Sequence, residues 1–177
     1  SDAAFLVMPK ARSRIAGNFK LLHKNAENHK CNNNAPVSIE CKTLRSVVTS
    51  AAEAETHGVF HDAKRLLPIR HTLEQMNHKQ LCPTPLKTDN STADGFVKNN
   101  IQMKKSKAWD MQLHWSRDKE NHNFFNVYWD KGTNNDADYF TEHHPAVHHR
   151  RICTEKSHVR DKIPDMKDVK KTQKVTT

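Results

Sequence analysis

Nothing in this sequence is apolar for long enough to cross a bilayer, because no run approaches the roughly 18 consecutive apolar residues that a membrane helix requires. The first residues also lack a basic segment followed by an apolar one, so no export signal is read and a soluble chain is expected. Cysteine is scarce and poorly spaced for chemistry. Cys31, Cys41, Cys82 and Cys153 form no CxxC pair, which argues against a zinc knuckle or a disulfide framework and for free thiols in a reducing compartment. No internal repeat is visible.

What the sequence has in excess is positive charge. Its 177 residues carry 29 Lys and Arg against 20 Asp and Glu, a formal net charge of +9. That balance suits a polyanionic partner such as nucleic acid, although a solvated basic surface without a ligand would have the same composition. The length fits one domain plus tails.

The segments "SDAAFLV" and "RIAGNFKLLH" read as two short strands joined by the basic turn "MPKARS". A third strand, in "APVSIECKTL", follows the polar loop "KNAENHKCNNN" and completes an expected antiparallel meander. From Ser50 to Leu67 the period becomes helical, with Ala52, Val59, Ala63 and Leu66 on one face, and Pro68 fits the first turn of a second helix carrying Ile69, Leu73 and Met76. "CPTPLKTDN" reads as a strand, "STADGFVKNN" as a short helix capped by Ser91 or Asn90, and "SKAWDMQLHWSRDKEN" as a helix. "FFNVYWD" is the most strand-like stretch, with Phe125, Val127 and Trp129 alternating, and a short helix closes the pattern. This order implies an α/β domain with one mixed sheet. Beyond about Pro145 few residues could build a core, so residues 150–177 are expected to be a polar basic tail or linker after a domain over 1–149.

Two glutamates in "TSAAEAETH" can be separated by helical phase. At about 100° per residue, Glu55 falls near Ala52, Val59 and Leu66, on the sheet-facing side, whereas Glu53 groups with His57 and Lys64 and is expected to be solvated. A carboxylate on the apolar side must be hydrogen-bonded, paired or cation-bound, unless it lies at the edge and snorkels to water. Asp89 closes "PLKTD", Asp138 lies in "NNDADYF" and Asp2 begins the first strand, all places where a sheet presents side chains at strand ends. Each also has a plain alternative: Asp89 and Asp138 as helix caps, Asp2 as an exposed terminal residue. Were the four to converge, divalent cations would have to offset their repulsion. Oxygen ligands without imidazole or thiolate suit Mg²⁺ or Mn²⁺.

Taken in order, "SDAAFLVMPKARSRIAGNF", "TSAAEAETHGVF", "TDNSTADGFVKNN", "KKSKAWDMQLHW" and "VYWDKGTNNDADYFTEHHP" resemble the ribonuclease H domain at the C-terminal end of copia-type retrotransposon polyproteins. The resemblance runs from Ser1 to about His149 and implies a ribonuclease H-like fold, a mixed five-stranded sheet flanked by helices, with the first strand cut short. It further implies four acids, Asp2, Glu55, Asp89 and Asp138, holding two Mg²⁺ ions or Mn²⁺ in their place. Asp2 and Asp138 would share one ion; Asp2, Glu55 and Asp89 would share the other. The activity implied is hydrolysis of the RNA strand of an RNA–DNA hybrid, with the reverse transcriptase portion of the parent polyprotein as partner and no membrane. The implied location is intracellular, either cytoplasmic within a virus-like particle or nuclear.

Two positions depart from common patterns. The loop "KGTNND" has no histidine where many cellular ribonucleases H carry one, as copia-type domains usually lack it, so no general-base histidine is assigned. Glu142 stands where the family often has lysine. Lys104, Lys105 and Lys107 could contact phosphates, while Trp109 and Trp115 read as core residues at helical spacing, or as base-stacking platforms. His143, His144, His148 and His149 read as a flexible polar junction or a transition-metal cluster. The rival to an enzyme is a catalytically inactive or domesticated module that keeps the fold for nucleic-acid binding or structure.

Overall fold

The computed structural model describes residues 1–21, 36–98 and 107–156, with only the backbone described at 107–110 and 153–156. Lys104 and Lys105, expected to bind nucleic acid, lie outside the described residues, as does Cys31. The described chain is mixed α/β. Strands β1 (Asp2–Met8), β2 (Arg12–Phe19) and β3 (Ser38–Thr43) precede helix α1 (Ala51–Gln75), strand β4 (Thr84–Thr88) and helix α2 (Ser91–Val97). Helix α3 (Lys107–Asn121), strand β5 (Phe125–Trp129), a 3₁₀ turn over Gly132–Asn134, and helices α4 (Asp138–Thr141) and α5 (Ala146–Lys156) follow.

The meander forms as expected, β1 and β3 each pairing antiparallel with β2. β4 and β5 pair in parallel, with Thr84 opposite Phe125 and Thr88 opposite Trp129. The five strands therefore make two sheets, of three and two strands, and not the single sheet expected. The reason lies in β1. The Ala3 amide donates to the Glu55 side chain of α1 and not to a strand, and the Leu6 amide turns to the Ser13 hydroxyl of β2. Leu6 also adopts φ 57°, and the β1–β2 register shifts between Ala4 and Met8. One main-chain bond, Ser1 N to Lys87 O at 2.8 Å, reaches from the start of β1 to β4.

α1 runs unbroken through Pro68, where a second helix was expected to start. A mid-helix proline deletes one backbone bond and crowds the preceding turn, a cost of about 3 kcal/mol. Packing on both sides holds the helix continuous through it. Leu66 and Ile69 sit in the core with Val59, Leu86, Phe96, Phe125 and Val127, and Arg70 donates to Gln80 O, Cys82 O and Thr84 Oγ1. At the other end Ser50 caps α1 by accepting from Glu53 N, and Glu53 returns a carboxylate oxygen to Thr49 N and Oγ1 at 2.6 and 2.7 Å. Glu53 is thus a capping residue and not a solvated one. His57, assigned with it to the polar side, is buried 4.0 Å from Glu53 Oε1, and burial holds its imidazole below the ordinary range against that charge.

In β5, Phe125 and Val127 are fully buried, but Trp129 is half exposed at the strand end. Trp115 packs against the main core; the Trp109 side chain lies outside the described set. Beyond the core domain, α5 is an ordered helix that crosses the 149/150 boundary expected for the tail, and the ring of His144, just before it, stacks on that of His148 at 4.5 Å between centroids. The two exposed described cysteines, Cys41 and Cys82, are free thiols. No helix among the described residues is long and apolar enough to cross a membrane.

Two glycines let α1 lie close beneath the meander. A methyl group on Gly58 would stand 3.1 Å from Ser1 Oγ and 3.5 Å from Asp2 O. On Gly17 it would fall 2.3 Å from Asp62 Oδ1 and 2.6 Å from Asp62 Cγ, a collision between groups that are both buried. Gly17→Ala should therefore destabilise the domain by about 2–3 kcal/mol, read as a lower urea midpoint at unchanged slope. A parental midpoint would show that the β2–α1 spacing is slack.

Candidate metal centre

Three carboxylates arrive from three different elements. Asp2 is the first residue of β1, Glu55 lies one turn inside α1, and Asp89 follows the last residue of β4. Their ligand oxygens all lie within 4.8 Å of one another, and they form the single group of three or more potential metal ligands among the described residues. The helical phase that put Glu55 on the sheet side is realised, because Glu55 is 7 % exposed. Asn90, and not Asp89, caps α2 by accepting from Thr92 N and Ala93 N, so Asp89 has no cap to serve. Asp138, in the first turn of α4, stands outside the group of three, although its charge still acts on Asp2. Lys107 begins α3, and its side chain lies outside the described set.

Each acid is held by its surroundings. Glu55 Oε1 accepts from Ala3 N at 3.1 Å, whereas Oε2 is buried without a hydrogen-bond partner. Asp2 is 5 % exposed; its Oδ1 accepts from Asn135 Nδ2 at 3.2 Å and its Oδ2 from the Thr141 hydroxyl. The half-buried Asp89 has Gly132 against its carboxylate, since a methyl group there would stand 3.0 Å from Asp89 Oδ2. Trp129 Nε1 donates to Asp89 O at 2.9 Å and fixes the backbone behind that carboxylate.

Electrostatics follow from burial. Removal from water pushes the Glu55 carboxyl from its ordinary 4.5 up to about 9, with the charges of Asp2 and Asp89 adding to the rise and the Ala3 amide opposing it. Burial likewise pushes Asp2 from 3.8 up to about 6, opposed by the Thr141 hydrogen bond and aided by Asp89 and Asp138. Without a counter-charge Glu55 keeps its proton at neutral pH. A divalent cation would displace it and supply the partner that Glu55 Oε2 lacks, so the residues fit a hard, oxygen-preferring ion such as Mg²⁺ or Mn²⁺.

Asn135 and Thr141 lie inside "VYWDKGTNNDADYFTEHHP" but were given no role from the sequence, yet both touch Asp2. They are separated from it by more than 130 positions and reach it through the loop after β5. Asp130 N donates to Thr88 O, Asn135 N to Gly132 O, and the Lys87 ammonium to Asn134 O, which folds "DKGTNN" back over the ends of β4 and β5. The one sequence signal was the crowding of Asn134, Asn135 and Thr141 around Asp138. No protein-family model, curated protein or solved structure matches this chain.

Proposed function

We propose that this chain is a metal-dependent phosphodiester hydrolase of the ribonuclease H kind, cutting the RNA strand of RNA–DNA hybrids within a retroelement polyprotein alongside its reverse transcriptase portion. The observation that carries the reading is the meeting of Asp2, Glu55 and Asp89 within 4.8 Å, with a buried and unpaired Glu55 oxygen among them. The ordered sequence resemblance named the same three residues, and the formal charge of +9 favours a polyanionic substrate.

Asp2, Glu55 and Asp89 would hold one Mg²⁺ and Asp2 with Asp138 the other; when bound, such a pair supplies an activated water and neutralises charge on the leaving oxygen. The chain's own residues do the rest. Glu55 keeps one oxygen on Ala3 N and presents the other, so its carboxylate is tied to the start of β1. Asp89 is the least buried of the three acids and forms the side of the site from which a backbone phosphate would approach. The described part of the loop before Asp138 offers amide and ammonium donors and no imidazole, so no residue there is assigned as a general base.

A second reading, a catalytically inactive or domesticated module that binds nucleic acid or serves structure, is favoured by the group of mutually close carboxylates containing three of the four expected acids and not Asp138. Cleavage of a labelled RNA–DNA hybrid in Mg²⁺, parent against Asp89→Asn, separates the two. The enzyme reading expects RNA-strand products from the parent and a loss of about 10³-fold in the variant, as removal of one ligand from a two-metal site implies. Equal product from both, with binding that falls steeply with salt and ignores EDTA, would leave the binding module.

A further inference from the structure

We propose that Thr141 and Asn135 are positioning residues that set the orientation of the Asp2 carboxylate toward a bound divalent cation, an inference that rests on the cation reading above.

An aspartate at the start of a strand can turn about two side-chain bonds, and three carboxylates held close repel one another. Asp2 would therefore swing away from Glu55 and Asp89 unless something held it. The two donors oppose that swing from a third direction. Thr141, 1 % exposed, donates its hydroxyl hydrogen to Oδ2, and Asn135, 7 % exposed, donates Nδ2–H to Oδ1 at 3.2 Å. One donor on each oxygen fixes the plane of the carboxylate. Each oxygen retains a second lone-pair direction, open to a cation.

The donors are themselves fixed. Asn135 Nδ2 also bonds Ser1 O at 2.9 Å, and Asn135 Oδ1 accepts from Ala137 N at 3.3 Å, which orients the amide with its hydrogens toward Asp2. The Thr141 hydroxyl stands 3.0 Å from the main-chain oxygen of Asp138. One side chain of α4 thereby spans from Asp2 to the backbone of Asp138, the two acids expected to share an ion. Groups that hold a ligand from behind are worth roughly 10–100-fold in metal affinity.

The test is calorimetric titration of the full metal-free chain with Mn²⁺ alone, beside a metal-free melting curve for each variant. Thr141→Val keeps the shape and loses the donor; it should weaken Mn²⁺ binding by about 10–100-fold, and Thr141→Ser should stay within about threefold of the parent. Asn135→Ala removes the other donor from a different segment and should weaken binding by about tenfold, which keeps the inference testable should Thr141→Val fail to fold. A folded donor-deleted variant that binds Mn²⁺ as the parent does overturns the inference alone, and so does a Thr141→Ser as weak as Thr141→Val. A parent that binds no Mn²⁺ overturns the cation reading, and this inference with it.

Discussion

Raising the pH of the cation-free protein from 7 to 9 should lower its melting temperature by about 4–8 °C, and millimolar Mg²⁺ or Mn²⁺ should restore most of the loss. Glu55 is the cause. Its carboxyl, at about 9 in the fold against an ordinary 4.5, binds its proton more tightly folded than unfolded. The stability it contributes is therefore complete below pH 4.5 and is lost as the pH climbs through about 9. Asp2 and Asp62, both pushed up to about 6 by burial, act with the same sign but finish their change lower. His57 and His61, held below their ordinary 6.5 by burial, act in the opposite sense on the acid side. Above pH 7 the slope belongs to Glu55, and its size is on the order of 2 kcal/mol over two pH units. A cation bound at Glu55 competes with its proton, so the cation's stabilisation should grow with pH. A melting temperature flat from pH 7 to 9, or a Mg²⁺ shift equal at both ends, would show that these acids are neither strained nor ligands.

Glu55→Gln should separate stability from activity more sharply than any other substitution. Glutamine keeps the acceptor for Ala3 N and turns the unpaired Oε2 into a donor that faces the carboxylates of Asp2 and Asp89. It also cannot ionise, so the slope between pH 7 and 9 should vanish, and at pH 9 the variant should melt above the cation-free parent by about 4–8 °C. The same change removes one ligand, and hybrid cleavage should fall by about 10³-fold while the fold improves. A variant that melts lower than the parent at pH 9 would mean that the Glu55 charge is satisfied in a way the geometry does not account for.

The part of this site legible in the sequence was the part with a local signature. Glu55 could be chosen over Glu53 because helical phase depends only on spacing, and α1 delivers that phase. The same arithmetic misjudged His57, since a helix end packed beneath other elements buries more than one stripe. Pro68 was read as a helix start because proline is at home in a first turn; tertiary packing of Leu66, Ile69 and Arg70 overrode it. Alternation in β5 held for Phe125 and Val127 and stopped at Trp129, where the strand leaves the core. Asn135 and Thr141 were invisible for a plainer reason. Hydrogen bonds across more than 130 residues leave no periodicity, and a short polar residue near a helix end reads as a cap or a turn.

The continuity of α1 has a mechanical consequence. Glu55 and Arg70 ride on one rod, separated by about 22 Å at the helical rise of 1.5 Å per residue. Arg70 grips the chain where it enters β4, and Asp89 follows where β4 ends, about 17 Å along at the rise of an extended strand. Rod and strand thus form two sides of a braced frame with Arg70 as its hinge pin and the acids at its open corner. The acids and the Arg70 contacts sit at opposite ends of the same helix and the same strand.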